Sequence, residues 1–253
     1  MKYIATLVLL ILSLSSLNAA TLKVGVTAGP HAMIMEKVKE LAKAEGVDVQ
    51  VIEFNDFILP NIALNDKEID MNSYQHQPFL DEQVKTRGYK IKSAGKTVLM
   101  PLGIYSKKIK NLTEIKDKSQ VAIPNDPTNG GRALKLLEKV GLLKLKPVEN
   151  PSILDIVENP KNLKIIEIDA PQVPRTLEDV AAAVINTDWV HVAGLDPQTA
   201  IAFEDKNSPY ANVIAIRMDE TRPEVTKLIK IYQSEPVKTY INETFKGAII
   251  PAW

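Results

Sequence analysis

After an apolar start, the chain alternates between short runs of β-branched residues and longer stretches whose apolar positions recur every three or four residues. Leu22 to Val26 reads LKVGV and predicts a strand, and Thr27–Ala28–Gly29–Pro30 turns it. Pro30 suits the first turn of a helix. Ile34, Val38, Leu41 and Ala42 then keep helical spacing until Gly46 stops it. Val47, Val49 and Val51 alternate with polar residues and predict a strand. A helix from about Pro60, a short strand around Ile69, a helix over HQPFLDEQVKTRGY and a strand-rich YKIKSAGKTVLMPLGIYSKK follow. Further along, the pattern predicts a helical turn over 111–117 and strands over 120–123, 163–168, 182–185 and 212–217. Helices are predicted over 131–140, 173–179 and 197–204, with two more in the tail, split near Pro236. Alternating strands and helices predict an α/β fold with mostly parallel sheets. Two such runs of about a hundred residues each predict two lobes. Ligands of such folds sit at strand carboxyl ends and between domains.

The first twenty residues change the picture. Lys2 is followed by IATLVLLILSL and then SSLNAA. The apolar run is too short for a comfortable membrane span and reads as a secretory signal peptide over 1–20. Leu17–Asn18–Ala19 would suit a bacterial lipoprotein signal if cysteine came next, but position 20 is alanine. The mature chain is therefore expected to be exported, periplasmic or at the cell surface. Membrane association is expected only if a lipobox cysteine was altered at Ala20.

Composition then removes several classes of function. Of 253 residues, Lys plus Arg and Asp plus Glu number 31 each. This balance argues against a phosphate-tracking surface, so no nucleic-acid partner is expected. The absence of cysteine rules out disulfides and thiolate metal sites. The three histidines, His31, His76 and His191, are scattered without a ligand motif, and neither a metal nor another cofactor is expected. With no cysteine and no GxSxG elbow, the chain does not read as an enzyme.

Two stretches remain as candidate sites. NDPTNGGRAL, from Asn125 to Leu134, follows an apolar run and opens a predicted helix, a geometry that binds anions. It is not a phosphate loop, because Arg132 and Ala133 follow Gly131. Asn125, Asp126, Thr128 or Asn129 could simply cap the helix. Arg132, placed in its first turn, works against the helix dipole; it is either solvated or grips a carboxylate through two parallel hydrogen bonds. Ser73 to Phe79 reads SYQHQPF. It offers an apolar slot with one polar edge, or a plain core strand-end with His76 hydrogen-bonded.

FNDFILPNIALNDKEIDMNSYQHQPFL, VAIPNDPTNGGRALKLLEKVGLL, DVAAAVINTDW, SPYANVIAIR and FKGAIIPAW occur in this order. Together they resemble the MetQ/NlpA family, the methionine-binding proteins of bacterial ABC importers, over residues 22–253. The resemblance implies a type II periplasmic-binding-protein fold: two α/β lobes joined by crossing strands, with the ligand cleft between them. Lobe I would take 21–107 and, after a return, 210–253; lobe II would take 108–209. It implies capture of methionine, L-methionine first, and delivery to a permease driven by an ATPase, by a protein acting as a monomer. D-methionine, a methionine-containing dipeptide, or a diverged surface adhesin without a small ligand are the alternatives. In the same way Arg132 matches the family's carboxylate clamp, Tyr74, His76 and Phe79 would wall the thioether, and Phe57 matches a further aromatic of the family's ligand-binding set. Asn186 and Asn212 would bond the polar end of the amino acid, and Asn129 joins them as a ligand-binding position. Phe57, Phe79 and Trp189 stand where the family often has tyrosine.

Overall fold

The computed structural model describes residues 21–205 and 207–253; the expected signal peptide lies outside them. The chain runs β1 (Leu22–Thr27), α1 (Pro30–Ala44), β2 (Val49–Phe54), α2 (Leu59–Asn65), β3 (Met71–His76), α3 (Gln77–Arg87) and β4 (Ile91–Leu99). It continues through β5 (Gly103–Tyr105), β6 (Gln120–Pro124), α4 (Pro127–Lys139), β7 (Lys144–Leu145), β8 (Ile156–Glu158), β9 (Lys164–Ile168), β10 (Ala182–Ile185), α5 (Thr187–Val192) and β11 (Ala202–Phe203). It closes with β12 (Ala211–Arg217), α6 (Pro223–Tyr232), α7 (Glu235–Phe245) and β13 (Ile250–Pro251).

Two main sheets result. One has the order β13-β4-β12-β3-β1-β2 and the other β11-β5-β10-β6-β9; β7 and β8 form a separate hairpin. Parallel pairing is confined to β3-β1-β2 and β10-β6-β9, so the sheets are mixed rather than mostly parallel. The reason lies in the connections. The chain leaves the first sheet at the end of β4 and comes back to it as β12, so β12 runs antiparallel to both β3 and β4. The outward crossing falls between Leu99 and Gly103, ahead of the expected limit after 107, because β5 already pairs with β10. The return falls between Phe203 and Ala211.

Each sheet has its own apolar core. Val24, Val26, Ile34, Met35 and Val38 pack with Leu228, Ile231 and Tyr232 on one side of the first sheet. Val121, Ile123, Leu134, Leu137 and Val184 fill the second lobe. A third cluster joins Phe57, Tyr74 and Phe79 of the first lobe to Val173, Leu177 and Trp189 of the second. Apolar surface is thus buried across the cleft, where one sheet's strand ends face the other's.

Some predicted elements are placed differently. Residues 197–204 form a 3-10 turn, Pro197–Thr199, and then β11, because Ala202 pairs with Ile104. Residues 173–179 belong to a 3-10 segment, Ala170–Glu178, which has Pro174 inside it. The strand expected near Ile69 starts at Met71 and absorbs SYQH, with all six residues buried. A central strand between β1 and β12 must bury both faces, which is why its polar side chains are internal. Asn61, on α2, and Gln75 exchange two amide hydrogen bonds of 2.7 Å, and Asn72 donates to Asn61 at 2.9 Å. Among the described residues, no helix is long and apolar enough to cross a membrane.

Candidate functional site

The helix α4 begins four residues before Gly131, at Pro127, and its N-cap is Asp126, whose carboxylate accepts the Asn129 N–H at 2.9 Å. Pro at the first helical position needs no hydrogen-bond acceptor. Arg132 therefore lies in the second turn, not the first, and the glycine pair lies inside the helix. The glycines serve packing. A Cβ on Gly130 would come within 2.9 Å of the Pro124 carbonyl, and one on Gly131 within 3.0 Å of the Pro151 carbonyl. Only bare backbone lets α4 sit this close to β6 and to the loop before β8.

Across the cleft, His76 ends β3 and caps α3, accepting the Phe79 N–H on Nδ1 at 3.1 Å. Nδ1 is thus unprotonated and Nε2 carries the hydrogen. Nε2 donates to Asn129 Oδ1 at 3.1 Å, a bond between the two lobes. Burial, and Arg132 nearby, push the His76 pKa down to about 3, so the ring is neutral. Asn129 Nδ2 donates to the Asp126 carboxylate, which can only accept, so the amide orientation is fixed. Its Oδ1 also receives Asn186 Nδ2 at 3.0 Å. Asn186 Oδ1 is then left buried with no donor among the described residues.

Arg132, only 4% exposed, is held on three sides. Nε donates to Glu204 Oε1 at 2.8 Å, and Nη2 donates to Glu204 Oε2 at 2.5 Å and to the Met100 carbonyl at 2.9 Å. Its guanidinium carbon lies 4.4 Å from the Tyr210 ring centroid. The two-bond fork expected to grip a ligand carboxylate is therefore taken by Glu204, and Nη1 is the edge with no protein partner among the described residues. Glu204 carries no motif; its stretch reads as a helix, which hid it from sequence reasoning.

The apolar end is a set of rings. Phe57 lies 6.2 Å from both Tyr74 and Phe79, and 5.3 Å from Trp189, centroid to centroid. Tyr74 Oη donates to the Phe57 carbonyl at 2.9 Å, fixing the loop that presents Phe57. Asn212, on β12, sits in register opposite His76.

Phe57, Tyr74, His76, Phe79, Asn129, Arg132, Asn186 and Asn212 all line one cavity. The same wall includes Gln75, Met100, Thr187 and Asp188, none of which sequence reasoning selected. One end offers a cation edge at Arg132 and a bare acceptor at Asn186; the other offers polarisable rings. Such a cavity fits a small zwitterion with an apolar tail. Among the described residues, no three His, Cys, Asp or Glu side chains cluster as metal ligands would.

Comparison with known proteins points the same way. Residues 22–253 match the family described as NlpA lipoprotein. The D-methionine-binding lipoprotein MetQ of Salmonella typhi is 51% identical, aligned over 92% of this chain and 88% of its own length. A nutrient-binding protein from Burkholderia cenocepacia, solved bound to methionine, superposes with a TM-score of 0.90 at 51% identity, covering 92% of this chain and all of its own. The crystal structure of the methionine-binding protein MetQ gives a TM-score of 0.89 at 49% identity, over 92% of this chain and 98% of that one.

Proposed function

This chain belongs to the NlpA lipoprotein family, and we propose that it is an extracytoplasmic solute-binding protein that captures methionine between its lobes and hands it to an ABC importer. The observation that carries this is the composition of that cavity: Arg132 Nη1 and Asn186 Oδ1 at one end, Phe57, Tyr74 and Phe79 at the other. The lobes are taken as the six-stranded and five-stranded sheets with their helices. The ligand carboxylate lies on Arg132 Nη1, the ammonium on Asn186 with Asn212, and the thioether among the rings. Asn129 and His76 act by holding Asn186 and the cleft in place, because their own polar atoms are already committed. L-methionine is the first ligand; the name of the Salmonella relative is the reason to set D-methionine beside it. The protein works as an exported monomer, without a cofactor and without catalysing a reaction.

Thermal melting of the mature protein, stripped of ligand by unfolding and refolding, tests this. A ligand at about a hundred times its dissociation constant adds roughly 2.7 kcal/mol. L-methionine or D-methionine is expected to raise the melting temperature while leucine and glutamine leave it unchanged. No rise with either enantiomer or with glycyl-methionine sinks the methionine reading and favours a receptor without a small ligand.

A further inference from the structure

Asp188 is the carboxylate in the lining of the cavity. Asp188 sits in the first turn of α5, 5% exposed, and lines the cavity beside Asn186 and Thr187. It crosses the cleft to the other lobe, yet what it meets there is weak. Thr27 Oγ1 of β1 is 3.5 Å from Oδ2, the limit of a hydrogen bond. His31 Nε2 of α1 is 3.8 Å from Oδ1, beyond it. His31 supplies no charge, since complete burial pushes its pKa down to about 3, and both its ring nitrogens lack partners. From α4, the Arg132 charge favours the ionised form of Asp188 without bonding it, its Nε and Nη2 being taken by Glu204 and Met100. The 3-10 segment packed on α5 presents Val173 and Leu177. Asp188 is thus a buried acid with no cation in ion-pair contact among the described residues, on a wall shared with the bare acceptor of Asn186. A charge so placed is costly unless something pairs with it.

We propose that Asp188 is a specificity-determining residue of the cleft: its carboxylate takes the ammonium of the ligand and couples capture to the release of a proton. The proposal rests on the reading of the cavity as an amino-acid site. Burial raises the Asp188 pKa to about 7. Near and below neutrality, a protonated Asp188 meets a zwitterion, keeps its charge-balancing role by ionising, and loses its proton to solvent; the ammonium stays intact. Asn186 Oδ1 accepts a second ammonium hydrogen. The linkage has one sign. Methionine affinity is greatest above the Asp188 pKa and falls about tenfold from pH 8 to pH 6.

The hydroxy analogue of methionine, which has the same carboxylate and thioether but no cation, separates this role from others. Binding of both ligands is measured by calorimetry at pH 6 and pH 8, in two buffers of different ionisation enthalpy, on the wild type and on Asp188→Asn, with melting curves for each protein. The wild type is expected to prefer methionine over the analogue by more than a hundredfold at pH 8. It should release close to one proton per methionine at pH 6, and bind the analogue no more weakly at pH 6 than at pH 8. Asp188→Asn should lose the pH slope and at least tenfold of the preference. The proton count uses the wild type alone, so it decides even if the variant misfolds. A wild type that binds methionine with no proton released, or a variant that keeps the preference and slope, overturns the role of Asp188 and leaves the receptor standing. A wild type that binds neither enantiomer of methionine removes the receptor reading itself, and this role with it.

Discussion

Arg132 shows how far one residue can be read from sequence and where reading stops. Its position after NDPTNGG marks it as a candidate binding residue, but its protein partner is 72 positions away. Nothing in the stretch around Glu204 says that it closes a buried ion pair, because pairing at that distance is a property of the fold. The consequence is practical. Arg132→Ala removes the ligand's cation and also strands Glu204, whose side chain is 11% exposed. Breaking such a pair from one side costs about 3–5 kcal/mol of stability. The expected result is a melting temperature lowered by several degrees together with methionine binding weakened more than a hundredfold. Arg132→Met with Glu204→Gln should recover most of the melting temperature and none of the binding. If the double variant binds methionine as the wild type does, Arg132 is a structural cation and the carboxylate lies elsewhere. The aromatic residues were legible for a simpler reason: Tyr74, His76 and Phe79 sit together in sequence, so a local phrase carries the geometry. Asp188 gave no such signal, since one acid at a helix start is ordinary in sequence, and only burial makes it unusual.

At the scale of elements, the long periodic segments were legible and the short ones were not. The pattern places α1, α3, β6, β9, β10 and β12 within a few residues of where they lie. It misses α5, whose six residues are too few to show a helical period, and β11 and β13, of two each, whose existence is set by pairing partners rather than by periodicity. It also starts α4 too late, since a glycine pair ordinarily reads as a boundary. In an exposed helix, Gly→Ala gains about 1 kcal/mol. Here the sign should reverse. At Gly131 a methyl meets the Pro151 carbonyl at 3.0 Å, and at Gly130 the Pro124 carbonyl at 2.9 Å, both backbone atoms that cannot rotate aside. Gly130→Ala and Gly131→Ala are each expected to lower the melting temperature, and to weaken methionine binding by displacing Asn129 and Arg132 on the same helix. A rise in melting temperature for both variants would show that α4 has room to shift, and that the glycines are incidental.

For the whole molecule, the two crossings between the sheets converge on one side chain. Met100, in the outward crossing, accepts from Arg132 through its carbonyl; Glu204 and Tyr210, in the return, bind the same guanidinium by charge and by ring. Thr187 adds a bond of 2.6 Å to the Pro101 carbonyl, tying the start of α5 to the outward crossing. A ligand that bonds Arg132 Nη1 would therefore touch both crossings through a single rigid group, while the His76–Asn129 bond joins the two sheets across the cavity. Closure of two lobes about a few hinge residues is a common way to couple capture to recognition by a partner. Hydrogen exchange tests whether this hinge is coupled to the cavity. Saturating methionine is expected to slow exchange most at residues 99–103 and 203–211, more than in the sheet interiors. Arg132→Lys, which keeps the charge but loses the planar fork that reaches both crossings, should bind more weakly and lose the preference for those segments. Slowing spread evenly over both sheets, in wild type and variant alike, would mean that the ligand stabilises the fold without acting on the hinge. The convergence on Arg132 would then be a matter of packing alone.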